Sequence, residues 1–124
     1  MMRVMSTSRI TLYGIPNCDS VKKARLWMQD HQVDHEFHDF KKQGVPEPAL
    51  DSWLEAVGWD TLVNRKGTTW RQLDPATQAG VKDRASAKRQ LLATPSLIKR
   101  PVVVKGRHVV VGVNPEAWLA VTKG

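Results

Sequence analysis

The sequence contains one cysteine, Cys18, placed where a short apolar segment passes through a turn into a helical pattern. A residue at the start of a helix lies beside free backbone N–H groups and the positive end of the helix dipole. Both favour the thiolate, and cysteines in such positions have pKa values of about 3.5–7.5 instead of about 8.5. The position of Cys18 therefore predicts a nucleophilic thiol.

The alternative for a lone cysteine is a small buried core residue. The neighbours of Cys18 argue against burial, because turn residues and polar side chains surround it and are typical of a surface helix terminus. Among them, Asn17 and Ser20 either support the thiolate through hydrogen bonds or only cap the helix. Gly14 and Pro16 are interpreted as the turn residues.

Length and composition indicate one soluble domain without metal or disulfide support. The chain has 124 residues, enough for a single hydrophobic core, and its one cysteine excludes an internal disulfide and a Cys-rich zinc site. Met1–Ser8 is expected to be a polar lead-in, with no signal peptide and no apolar run of about 20 residues. We therefore expect a cytoplasmic protein with no membrane contact and no bound cofactor.

The formal charge of +7 raises nucleic acid and small anions as partners. The basic residues are dispersed, however, and no RNA-binding aromatic motif or zinc-finger spacing accompanies them, so there is no direct nucleic-acid motif. A solvated basic surface is the simpler interpretation. Its positive field would attract small anions and anionic thiols such as glutathione.

The two ends of the chain carry the strand patterns. Alternation predicts strands at Arg9–Gly14 and Val33–Phe40, with a helix at Cys18–Asp30 between them. Near the C-terminus, two valine runs separated by a Gly-containing turn predict a hairpin, with strands at 102–104 and 109–111. Asn114 then provides an N-cap for a last helix.

The middle of the chain shows helical patterns only. Lys41–Pro48 is predicted to be a loop, followed by a helix that Gly58 ends, and by short helices at 59–63, 74–80 and 85–94. Between the first two of these, residues 64–73 are rich in turn formers and are predicted to be a turn.

The resulting order, β-α-β, helical insertion, β-β-α, predicts an α/β protein with a thioredoxin-like fold and a mixed four-stranded sheet. We expect a single domain over residues 9–124, with a core of 9–42 and 98–124 and an inserted helical subdomain at 43–97. Pro101 stands just before the third strand, where this fold carries a cis-proline facing the active cysteine.

Three motifs together resemble the arsenate reductase (ArsC)/Spx family, in particular its YffB-type branch. They are Tyr13-Gly-Ile-Pro-Asn-Cys-Asp-Ser-Val-Lys-Lys-Ala, Leu62-Val-Asn-Arg-Lys-Gly-Thr-Thr-Trp-Arg-Gln-Leu and Pro95-Ser-Leu-Ile-Lys-Arg-Pro-Val-Val-Val. The resemblance extends from about Ile10 to the final helix. It implies a thiol reductase in which Cys18 is the nucleophile and forms an adduct that glutathione and glutaredoxin resolve.

The same resemblance implies that Arg65 and Arg100 bind the substrate anion. Planar guanidinium groups hold oxyanions through paired hydrogen bonds, and their charge stabilises a thiolate. The alternative for either arginine is a surface or interface ion pair. Pro101 is expected to support the site from its place next to Arg100.

Two departures from the family pattern narrow the expected activity. Glutathione-dependent arsenate reductases carry a third arginine just after the last strand, where this chain has Val113 and Asn114. The Spx regulators carry a Cys-x-x-Cys switch, whose second position here is Val21. The resemblance thus implies a one-thiol reductase that uses glutathione as an external thiol on an oxyanion or an oxidised thiol.

The resemblance also allows a different class of function, which is regulation without catalysis. Spx-type relatives regulate transcription by docking on RNA polymerase, and this chain could do so without a redox switch. A third alternative is a member that has lost its chemistry and binds a partner through the inserted helices.

Other candidate residues are interpreted as structural. His35 and His38 have no cysteine or acidic cluster to complete a metal site, so no metal is predicted.

Trp53, Trp59 and Trp118 fit helix faces and are predicted to be core residues. Residues 68–70 either line the site or form a turn.

Overall fold

The computed structural model describes residues 9–123, so the expected lead-in Met1–Ser8 lies outside the described residues. The structure contains four strands, eight α-helices within these residues and a short 3₁₀ turn at Pro95–Leu97; the strands and α-helices are given next. In chain order these are β1 Ile10–Gly14, α1 Asp19–Asp30, β2 His35–Asp39, α2 Phe40–Gln43, α3 Glu47–Val57, α4 Trp59–Leu62, α5 Thr68–Gln72, α6 Pro75–Gly80, α7 Arg84–Ala93, β3 Val102–Lys105, β4 His108–Val111 and α8 Pro115–Lys123.

The four strands form one mixed sheet in the order β2-β1-β3-β4. Strand β1 runs parallel to β2 and antiparallel to β3, and β3 pairs antiparallel with β4. Leu12 at the centre of β1 lies opposite Phe37 on β2 and Val103 on β3. The predicted α/β fold with a mixed four-stranded, thioredoxin-like sheet is confirmed.

The chain divides into two compact units, of which one contains the sheet, α1 and α8. Within the described residues this unit comprises 9–41 and 100–123. In α1 the buried residues recur at helical spacing, so that one face of the helix packs against apolar strand residues. The buried cluster consists of Ile10, Leu12, Val21, Ala24, Met28, Val103 and Trp118.

The second unit, Lys42–Lys99, contains α3–α7 and the 3₁₀ turn. Helix α3 ends at Gly58 as expected, in a backbone conformation with φ of 85° that glycine adopts without strain. Asp83 and Ser86 form a reciprocal capping box at the start of α7. The core of this unit is made by Leu50, Trp53, Leu54, Leu62, Val63, Val81, Ala87, Leu91, Leu97 and Ile98. The domain boundaries expected from the sequence stay a prediction.

The end of the second strand differs from the sequence prediction. Strand β2 ends at Asp39, and Phe40 begins the short helix α2 where a strand residue and then a loop were predicted. The Asp39 carboxylate accepts a hydrogen bond from the Lys41 N–H at 2.8 Å. Because this bond turns the backbone at once, the strand stops although Phe40 is buried and continues the apolar pattern.

The prediction of a turn at residues 64–73 was wrong for its second half, which forms helix α5. Two side chains donate to backbone carbonyls, one just before this helix and one within it. Arg71 donates to the Lys66 carbonyl at 2.7 Å, and Gln78 donates to the Trp70 carbonyl at 2.8 Å. Such contacts stabilise a five-residue helix that is too short to show a periodic pattern.

Candidate active site

Cys18 lies at the N-terminus of α1, where its backbone is extended and the helix begins at the next residue. The Cys18 N–H donates to the Ile15 carbonyl at 3.2 Å, and its own carbonyl accepts from the Lys22 N–H at 2.9 Å. These bonds close the turn between β1 and α1. The turn itself lies at residues 16–17, so Gly14 was wrongly interpreted as a turn residue and is instead the last residue of β1.

The surroundings of Cys18 favour its thiolate. Partial burial alone would raise the pKa of the Cys18 thiol, but the Val21 N–H, the Arg100 guanidinium and the Ser20 N–H together lower this pKa below its ordinary value. The two N–H groups belong to the first turn of α1 and have no partner within the helix. The Cys18 side chain stands where a capping oxygen usually accepts from these positions, but it makes no capping hydrogen bond itself.

Arg100 reaches Cys18 because its strand pairs with the strand that leads to the cysteine. It stands at the entrance of β3, where Val102 lies opposite Tyr13 of β1. The Arg100–Pro101 peptide bond is cis, and the Pro101 carbonyl accepts from the Gly112 N–H at 2.9 Å. The structure thus brings Arg100 and Cys18 together within one unit.

Of the two roles expected for the polar neighbours of Cys18, capping of the helix is the one that the structure does not show. No side chain within the described residues caps α1, so neither Asn17 nor Ser20 provides a capping side chain. Ser20 contributes its backbone N–H to the sulfur, while Asn17 is exposed in the turn. The contribution of Val21 was missed, although the capping rule could have found it, since Ser20 and Val21 occupy the second and third helical positions.

Arg65 belongs to the second unit and makes an ion pair with Asp60 at the surface. Its guanidinium carbon lies 5.3 Å from the centre of the Trp59 ring and 5.9 Å from that of Trp70. The surface ion pair, one of the two alternatives for this arginine, is therefore present. Its role in anion binding stays a prediction.

The predicted core positions hold for two of the three tryptophans. Trp53 and Trp118 are each 1% exposed. Trp59 is only partly buried, and its ring contacts the Arg65 guanidinium. The prediction was wrong for Trp59, because its ring makes a cation–π contact with a surface arginine and is not enclosed in the core.

Residues 9–123 contain no group of three or more histidine, cysteine or acidic side chains that could hold a metal ion. None of the helices described there is both long and apolar enough to cross a membrane.

Comparison with known proteins identifies the family. The model of the ArsC family matches residues 13–121, which include Cys18, Arg65 and Arg100. The chain belongs to the ArsC family.

Two solved structures and one curated protein are similar to this chain over most of its length. The YffB (PA3664) protein is 45% identical over 91% of this chain and 98% of its own, with a TM-score of 0.86. An arsenate reductase (ArsC) related protein from Brucella melitensis is 44% identical over 94% of this chain and 97% of its own, with a TM-score of 0.73. The global transcriptional regulator Spx of Streptococcus pyogenes serotype M6 is 26% identical over 86% of this chain and 80% of its own.

The segment after β4 contains Val113 and Asn114 and leads into α8. Gly112 has a φ of 87°, and the Asn114 side chain accepts from the Ala117 N–H at 3.1 Å. This confirms the predicted N-cap of α8. The segment ends the sheet and starts a helix, and residues 112–115 of the sequence contain no basic side chain.

Proposed function

We propose that this protein is a thiol-dependent reductase that uses Cys18 as its nucleophile and glutathione as the external thiol. The observation that carries the proposal is the position of Cys18, whose thiolate is favoured by two N–H groups of α1 and by Arg100. A reactive thiolate at a partly exposed helix terminus is the requirement for thiol–disulfide exchange.

The proposed reaction on an oxidised thiol proceeds by two exchanges. The Cys18 thiolate attacks the glutathione sulfur of a mixed disulfide, and the substrate leaves as a thiolate that takes a proton from water. A second glutathione thiolate then attacks the Cys18–glutathione disulfide, which releases oxidised glutathione and restores the Cys18 thiolate. One disulfide is reduced and one is formed, so electrons balance without a second cysteine in the chain.

The substrate is proposed to be anionic. We propose that Arg100 binds a carboxylate of glutathione or an oxyanion, and the resemblance extends this role to Arg65. The absence of an arginine at 113–114 makes arsenate the less favoured oxyanion. We therefore place glutathionylated thiols before arsenate as substrates.

The deciding experiment measures oxidised glutathione formed from a glutathionylated peptide and reduced glutathione, with arsenate as a parallel substrate. Cys18→Ser is expected to abolish turnover while leaving the far-UV circular dichroism spectrum unchanged. Arg100→Gln is expected to raise the pKa of Cys18 and to slow its alkylation at mildly acidic pH by about three- to tenfold. Arg107→Gln, which removes one exposed charge from the β3–β4 turn, is the matched control. Full turnover by Cys18→Ser would contradict the proposal.

The match to Spx supports a second candidate, which is docking on RNA polymerase without a redox switch. Its test is direct binding of the purified polymerase α subunit to the wild type and to Cys18→Ser. Equal binding by both proteins, together with an unreactive Cys18, would put docking in first place. Absence of binding would leave the reductase as the proposed function.

A further inference from the structure

Gly14 lies closer to α1 than any other residue type would permit. It ends strand β1 in a conformation outside the left-handed region, so its backbone does not require glycine. A Cβ atom built at Gly14 would lie 2.5 Å from Cγ2 and 3.3 Å from Cγ1 of Val21, whereas ordinary contact begins at 3.4 Å. The glycine is therefore required by a close approach between strand and helix.

Val21 has little freedom to yield to such a methyl group. Its side chain is fully buried in the cluster that α1 shares with the sheet. A β-branched side chain in a helix has one strongly preferred χ1 rotamer, so rotation away from the added atom is costly. The backbone of the first turn of α1 would instead have to move by about 1 Å, a distance over which a hydrogen bond is lost.

That same turn carries the groups that act on the cysteine. The N–H groups of Val21 and Ser20 favour the Cys18 thiolate. The contact that sets the distance between β1 and α1 therefore also sets the place of these donors relative to the sulfur.

We infer that Gly14 is a positioning residue: its missing side chain lets the first turn of α1 lie against β1, which holds the Val21 and Ser20 N–H groups at the Cys18 sulfur. The inference rests on the proposed function, because it concerns the reactivity of the same thiol. Gly14 does not touch substrate and acts through Val21.

The test is a double-mutant cycle on the contact, made of Gly14→Ala, Val21→Ala and the variant that carries both. The readout is the rate of Cys18 alkylation by iodoacetamide as a function of pH, together with the urea unfolding midpoint. Gly14→Ala is expected to slow alkylation at mildly acidic pH about threefold or more. Because alanine at position 21 lacks the clashing methyl groups, the variant with both changes is expected to alkylate as Val21→Ala does. Gly80→Ala is the control, since a Cβ there meets nothing within 4 Å.

The outcomes separate this inference from the proposed function. A wild-type thiol of ordinary reactivity would overturn the proposed function and the inference together. A reactive wild-type thiol that Gly14→Ala leaves unchanged would overturn the inference alone. If Gly14→Ala does not fold, the variant with both changes is compared with Val21→Ala, and slower alkylation in the former would overturn the steric route.

Discussion

Cys18 occupies a position that other residue types fill better as far as helix stability is concerned. Serine, threonine, aspartate and asparagine are preferred before the first helical residue because their oxygen accepts from the second or third N–H group. Cys18 makes no such capping hydrogen bond, and only its thiolate is favoured by the same donors. Reactivity of the thiol is thus obtained at the expense of a helix cap.

The missing cap on α1 predicts how Cys18→Ser changes stability with pH. The serine oxygen can cap α1, so at low pH the variant is expected to gain up to about 1 kcal/mol in free energy of unfolding. The folded-state pKa of Cys18 is lowered, so the thiolate stabilises the wild type fully above the unfolded-state pKa and ceases to do so as the pH falls through the folded-state value. The advantage of Cys18→Ser should therefore shrink as the pH rises between those two values.

Urea unfolding at several pH values measures this difference. Cys18→Ala is the control, because it neither caps nor titrates, and its difference from Cys18→Ser should not vary with pH. A wild-type stability that runs parallel to both variants at every pH would contradict the prediction.

At the residue scale, the sequence predicts which residues could do chemistry better than it predicts how closely residues approach one another. The expected reactivity of Cys18 follows from its place before a helix, whereas the expected binding of an anion by Arg100 comes from the resemblance to the family. Gly14 was interpreted as a turn residue because glycine before Ile-Pro-Asn favours a turn. The close approach of Gly14 to Val21 depends on how α1 packs on β1, and this packing cannot be read from the local sequence pattern.

At the element scale, prediction succeeded where a helical pattern, or apolar runs separated by a turn, can be seen in the sequence. The strands of the β3–β4 hairpin and the helix α1 have such patterns. Helix α5 has only five residues, and it is stabilised by hydrogen bonds from Arg71 and Gln78 that no periodic sequence pattern reveals. Helix α5 therefore required the structure, whereas the similarly short helices α4 and α6 were predicted from the sequence at 59–63 and 74–80.

The N-cap of α8 is an element that was predicted from sequence and whose energy can be measured. Asn114→Ala removes the acceptor for the Ala117 N–H and is expected to lower the free energy of unfolding by about 1 kcal/mol. Asn114→Ser keeps an acceptor at this position and should lose little. Urea unfolding compares the three proteins. Equal losses in both variants would show that the side chain of Asn114 stabilises the protein by something other than capping.

At the scale of the whole molecule, the dominant feature is the excess of positive charge. The formal charge is +7, and its carriers are dispersed along the chain instead of forming a tail. Exposed ion pairs such as Arg84–Glu55 contribute little to stability. The summed field nevertheless acts on approaching ions and raises the encounter rate of anions with the thiolate.

The last prediction follows from this field and concerns the rate at which Cys18 reacts with oxidised glutathione, an anion. Raising the ionic strength from about 0.01 M to about 0.15 M shortens the Debye length from about 30 Å to about 8 Å, which screens the field beyond the nearest charges. The rate should fall about three- to tenfold over this range. The disulfide of 2-mercaptoethanol, which is neutral, is the control and should react at a nearly constant rate. Equal salt dependence of the two disulfides would mean that salt acts on the thiolate itself, through Arg100, and that the distributed charge does not guide the substrate.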